Sequence, residues 1–171
     1  MVSSMPEKQL PFDPIERAGE LWEEHFGDAT AMRLATSVMR VQQLMLASLD
    51  GALKPFGLTF ARYEVLVLLT FSRSGPLPLS KIGERLMVHP TSITNAIDRL
   101  EAQGLVERIP DPNDRRRTFA ALTSEGKRIV TSATHALTEI DFSVDGLAMD
   151  DQESAYQLLR SLRRAAGDFT D

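Results

Sequence analysis

Three features of the sequence predict a mainly α-helical fold with one small β-hairpin. Long segments near both ends space their apolar residues as helices do, two short helical segments with start and stop signals sit between them, and two β-rich runs directly follow around a turn of Pro, Asp and Asn. The 171 residues, 43% of them apolar and 25% charged, suit one compact unit with its own core.

Each element has its own local reason. The first dozen residues read as loose. Residues 13–27, DPIERAGELWEEHFG, predict a short helix with Asp13 as N-cap, Pro14 in the first helical position and Gly27 at the end. From Asp28 to Leu53 a long helix carries two apolar stripes. One is Met32, Ala35, Met39, Leu46, Leu49 and Leu53, interrupted by Gln42; the other is Leu34, Val38, Val41, Met45 and Ala52. A helix that is apolar on two sides needs cover on two sides, and in a chain this short a second subunit is the expected cover. KPFGLT breaks that helix, and Thr59 caps the next, FARYEVLVLLTFSRSG, whose dense apolar face marks central core. GPLPL reads as a loop and Ser80 as the cap of a short helix, KIGERLMV. Pro90 opens TSITNAIDRLEAQG, with Ile93, Ile97 and Leu100 on one face and Gly104 as the left-handed stop. LVERI and TFAALT predict strands flanking PDPNDRRR, a hairpin with a charged tip. Thr123 caps a long helix bearing Ile129, Ala133, Ala136 and Ile140, and after Gly146 a last helix carries Ala155, Leu158, Leu162 and Ala165.

Composition removes several function classes. Without cysteine there is no disulfide, thiolate metal site or cysteine nucleophile. The longest apolar run, Val65 to Leu69, is far below the roughly 18 residues of a membrane span. No basic and apolar leader opens the chain, so a cytoplasmic location is expected. No paired nucleophile and base, Gly-rich phosphate loop or metal triad is visible, so neither an enzyme nor a cofactor is expected. His25, His89 and His135 are too scattered to suggest a metal site, and the methionines fall largely on apolar stripes as core filling.

Charge is segregated. The formal net charge is -5, yet residues 1–30 carry 2 basic and 7 acidic groups, residues 139–171 carry 3 and 8, and the stretch between them carries 14 and 9. A polyanion meets the local surface rather than the total, so a basic middle between acidic ends is compatible with nucleic acid.

Helix, short helix, turn, polar-faced helix and cationic hairpin follow one another in the order of a winged helix-turn-helix, whose second short helix enters the major groove of double-stranded DNA. The outward residues there are His89, Pro90, Thr91, Ser92, Thr94, Asn95, Asp98 and Arg99, small or hydrogen-bonding types able to approach base edges. Asn95 suits adenine, and Arg99 suits guanine or phosphate. Ser80 joins them at the start of the preceding helix. In the wing, Arg115 and Arg116 can reach the minor groove, and Asp114 can hold one of them extended.

The joined pattern PLPLSKIGERLMVHPTSITNAIDRLEAQGLVER, DPNDRRR and LTSEGKR resembles the MarR family of bacterial regulators, over residues 28 to 168. The resemblance implies a homodimer whose first and last helices interlock and present two winged units to a near-palindromic operator. It implies a repressor that a small anionic or aromatic effector releases from DNA. Of the usual wing pattern, Asp111, Asp114, Arg115 and Arg116 match, while Asn113 stands where an arginine is common. The urate-responsive branch has counterparts for its ligand residues in Trp22, Glu64 and Arg108. Ala96 replaces the recognition-helix arginine of that branch, so the cation that would pair with urate is missing there. For Trp22 itself the favoured reading is a staple that packs the extra helix onto its neighbours, ahead of a ligand contact.

The expected organisation is an N-terminal extension, 1–27, followed by a winged-helix unit, 28–171, with its DNA-binding part about 57–123 and dimerisation helices about 28–54 and 124–168. The alternative is a winged-helix protein-interaction module that does not bind DNA.

Overall fold

The computed structural model describes residues 10–73, 75–114 and 117–170. The expectation for the first dozen residues falls largely outside that range, and Arg115 and Arg116 lie outside it as well. The helices are α1 (Pro14–Phe26), α2 (Thr30–Leu53), α3 (Phe60–Thr70), α4 (Leu79–Leu86), α5 (Pro90–Ala102), α6 (Ser124–Glu139) and α7 (Met149–Ala165). The strands are β1 (Leu77–Pro78), β2 (Val106–Pro110) and β3 (Thr118–Leu122). All three pair antiparallel in the order β1-β3-β2, with Ala120 opposite both Leu77 and Arg108.

The helices start largely where the sequence places them. Asp13 Oδ1 accepts from the Ile15 amide at 2.8 Å, and Thr123 Oγ1 accepts from Gly126 N at 2.9 Å while donating to the Gly104 carbonyl at 2.7 Å. Three local readings need correction. Thr59 occupies the N-cap position of α3 but its side chain does not cap; Asp50 of α2 does, accepting from Phe60 N at 2.6 Å. A carboxylate is the stronger acceptor, and it also ties α2 to α3. Ser80 lies inside α4, because Pro78 is the N-cap. GPLPL is not all loop, since Leu77 and Pro78 form β1 on the edge of the wing sheet, where a proline is tolerated.

One core organises the centre. Leu49 and Leu53 of α2, Tyr63, Val65, Leu66 and Leu69 of α3, Ile82 of α4, and Ile93, Ile97 and Leu100 of α5 are buried together with Leu77, Val106 and Ala120 of the sheet. From α6 the buried positions are Gly126, Val130, Ala133 and Leu137. That stripe lies beside the expected one, of which only Ala133 is fully buried, because α6 packs against both α2 and α3. Tyr63 Oη and Thr134 Oγ1 meet at 3.0 Å across α3 and α6.

The N-terminal extension docks through charge. Gly19 of α1 is buried where the Arg33 side chain of α2 crosses it; Arg33 Nη1 donates to Glu23 at 2.5 Å and Nη2 to Glu16 at 3.2 Å. A Cβ on Gly19 would lie 2.2 Å from Arg33 Nε, so glycine is what admits the guanidinium. At the other end, Asp141, Phe142 and Ser143 take φ of 45°, 49° and 63°, a left-handed corner between α6 and α7. Each such residue costs roughly 1–2 kcal/mol. The corner is pinned by Ser143 Oγ donating to Ser48 Oγ at 2.6 Å and by Gln152 Nε2 donating to Asp141 at 2.8 Å.

Gly126 supplies a test of this packing. A Cβ there would sit 2.0 Å from the Leu105 carbonyl oxygen, a backbone atom that cannot swing aside. Gly126→Ala is expected to lower the unfolding free energy by about 1–3 kcal/mol in urea melts, and an unchanged midpoint would contradict that contact.

Candidate nucleic-acid interface

The helix-turn-helix is built by burying one side of α5. Ile93, Ile97 and Leu100 are at most 2% exposed, whereas Thr91, Ser92, Thr94, Asn95, Asp98 and Arg99 are all exposed. The turn before α5 is tight. Met87 adopts a left-handed φ of 52°, and a Cβ on Gly83 would come within 3.1 Å of the Val88 carbonyl. His89 is the N-cap, its Nδ1 accepting from Thr91 N at 3.3 Å, and Pro90 takes the first helical position. Thr94 Oγ1 donates to the Pro90 carbonyl at 3.1 Å, so that hydroxyl is partly engaged by its own helix. His89 and Pro90 are exposed at the start of α5, and Ser80 is exposed on α4.

Beside α5 the β2–β3 hairpin projects. Asn113 N donates to Asp111 Oδ1 at 2.9 Å, and Asp111 N donates to the Arg117 carbonyl at 3.1 Å, closing the visible base of the turn. Asp114 contributes its carbonyl to Arg117 N at 2.9 Å. The Arg117 guanidinium lies 5.1 Å from the centre of the Phe119 ring and 3.9 Å from Asp111. The Arg117 side chain is thus turned back toward β3 and Asp111.

Arg108 of β2 makes the densest polar contact in this region. Its Nη2 lies 2.5 Å from Asp98 and 3.3 Å from the Thr94 carbonyl, and its Nη1 lies 3.1 Å from Glu101, all on α5. Arg108, Trp22 and Glu64, the counterparts of the ligand residues of the urate-responsive branch, sit on different elements with different neighbours. Trp22 packs on Phe26 within α1, ring centres 4.9 Å apart. Glu64 is half-buried on α3, where burial pushes its carboxyl above the usual carboxylate range. The Asp98 and Glu101 partners escaped sequence reasoning because a contact from strand to helix leaves no periodic signal; the only hint was two carboxylates three residues apart on one helix.

Exposed hydrogen-bonding groups on a helix anchored by its other face, with a hairpin alongside, define a winged helix-turn-helix DNA-binding protein. A model of the MarR family matches residues 60–118. Sco5413, a MarR family transcriptional regulator from Streptomyces coelicolor, is 51% identical, the match covering 82% of this chain and 98% of that one with a TM-score of 0.77. A mutant of MarR from Escherichia coli, solved in complex with operator DNA, is 25% identical over 83% of this chain and 97% of that one, with a TM-score of 0.69. CouR from Rhodococcus jostii RHA1, solved with bound p-coumaroyl-CoA, is 27% identical over 81% and 94%, with a TM-score of 0.66. The chain belongs to the MarR family and is a transcriptional regulator with a DNA-binding role. Among the described residues, no helix is long and apolar enough to cross a membrane.

Glu64 yields a pH prediction. Its folded-state pKa lies above the unfolded one, so ionisation opposes folding. That penalty is absent below the unfolded pKa and grows as pH rises through the folded pKa. Glu64→Gln is expected to raise Tm more at about pH 7 than at about pH 4. A Tm difference that is the same at both pH values in thermal melts would contradict it.

Proposed function

We propose that the protein is a ligand-responsive repressor that binds a pseudo-palindromic operator as a homodimer. The observation that carries the DNA reading is α5, with three branched or long apolar side chains sealed into the core and an outward row of Thr91, Ser92, Thr94, Asn95 and Arg99. In this reading those residues, with His89 and Pro90 at the helix start and Ser80 before it, meet the major groove and its flanking phosphates. The wing residues Asp114, Arg115 and Arg116 serve the adjacent minor groove. The operator complex of the Escherichia coli relative supports this use of the fold.

Two exposed helices support the homodimer. No residue of α7 is buried, and Leu158 and Leu162 are 73% and 56% exposed; on α2, Leu34 and Met39 are 61% and 62% exposed. Apolar rows of this kind need cover, and a second copy offers the matching faces. In this reading the helices about 28–54 and 124–168 serve dimerisation around a DNA-binding part, about 57–123. The p-coumaroyl-CoA complex of CouR supports effector control, with Trp22, Glu64 and Arg108 as candidate contacts for an anionic or aromatic ligand. An effector that engages Arg108 has to compete with Asp98 and Glu101 for it.

Selection from a random duplex pool, followed by affinity measurements over a salt series, tests the proposal. The selected site is expected to contain two inverted half-sites about one helical turn apart, with affinity falling steeply as salt rises. Asn95→Ala is expected to cost roughly 1–3 kcal/mol at one base pair, whereas Arg116→Ala weakens all duplexes alike and reduces the log–log salt slope by about 0.9. No enrichment of any duplex, together with salt-independent binding, would overturn the reading in favour of a protein-interaction module.

A further inference from the structure

The helix assigned to the major groove has an awkward charge. Between Pro90 and Ala102 its ionisable groups are Asp98, Arg99 and Glu101, so it carries more negative than positive charge toward a polyanion. Arg108 answers both carboxylates with one guanidinium. It lies on β2 on the same side as buried Val106, it is 26% exposed, and both of its terminal nitrogens are engaged by α5. Its opposite number on β3, Ala120, is fully buried and is paired also to β1, so the strand that carries Arg108 is anchored in the sheet.

We propose that Arg108 is a positioning residue for DNA binding: it fixes α5 to the wing and offsets the net negative charge that Asp98 and Glu101 give the helix, without itself touching DNA. The inference rests on the DNA-binding reading and deepens it. An isolated exposed ion pair contributes little, but a planar fork shared between two carboxylates and a helix carbonyl sets orientation as well as charge. Without it, the ionisable groups of the helix that approaches phosphate sum to a net negative charge, and α5 loses its only ionic link to β2 among the described residues.

The test is a double-mutant cycle on the full chain, read as duplex affinity over a salt series. Arg108→Gln is expected to weaken specific binding about tenfold with an unchanged log–log salt slope. In the Asp98→Asn, Glu101→Gln background the same change is expected to cost less than about twofold, because the carboxylates that it served are gone. Arg108→Lys, which keeps the charge and loses the fork, is expected to fall between wild type and Arg108→Gln, and it carries the test if Arg108→Gln fails to fold. Equal losses in both backgrounds with a slope reduced by about 0.9 would make Arg108 a phosphate contact and overturn the proposal. So would an unchanged affinity in Arg108→Gln, or a fall in Tm that neutralising the carboxylates does not restore. If the wild type binds no duplex, the DNA-binding reading fails and the proposal with it. Hydrogen exchange of the free protein separates the two failures, since faster exchange in α5 of Arg108→Gln shows the bridge intact as a structural tie even then.

Discussion

Everything distinctive about this protein depends on α5 being buried along one side only. Ile93, Ile97 and Leu100 are driven into the same cluster that holds Leu53, Leu66 and Ile82, and their helical spacing turns Thr91, Ser92, Thr94, Asn95 and Arg99 outward. Full burial of each such side chain is worth about 1.5–3 kcal/mol, and keeping the hydroxyl and amide groups in water avoids a comparable cost of burying them unpaired, so both faces favour the same orientation. The turn before α5 serves the same end. Gly83 lets the Val88 backbone approach, Met87 takes the left-handed bend, and His89 and Pro90 start the next helix at once.

Around this centre, charge holds what hydrophobic packing does not. The α1 extension buries only Gly19 and is held by Arg33 between Glu16 and Glu23. The recognition helix and the wing are joined by Arg108. Arg117 folds back over Phe119 and lies 3.9 Å from Asp111, so its charge is held at the base of the wing turn. The acidic surplus of the chain is concentrated away from this region, in the first and last segments, so a total of -5 is reconciled with a DNA-binding role by where the charges lie.

Much of this was legible in the sequence, and what was not has physical reasons. Helical periodicity located the buried face of α5, and Asp13, Thr123 and Pro90 marked helix starts because capping and proline chemistry are local. Ser80 and Thr59 misled for the same reason: a hydroxyl in the right place is only one candidate, and here Pro78 takes the N-cap position of α4 while Asp50 supplies the acceptor at the start of α3. The edge strand β1 is two residues long and depends on a partner more than 40 residues away, so no local pattern announces it. The left-handed residues Met87 and Asp141 to Ser143 were hidden because glycine is the usual sign of that conformation, and none of the four is glycine. Of the candidate site, the outward row of α5 was readable, whereas the pairing of Arg108 with Asp98 and Glu101 required the fold.

The central claim is that α5 and the wing form the surface that meets DNA while α1 and α7 do not. Backbone amide chemical shifts followed by NMR during titration with the selected duplex test it most directly. The account predicts the largest changes from Thr91 to Asn95 and across the hairpin turn between Pro110 and Thr118, with α1 and the second half of α7 unmoved. Changes concentrated on α1 or α7, with α5 silent at saturating DNA, would contradict it.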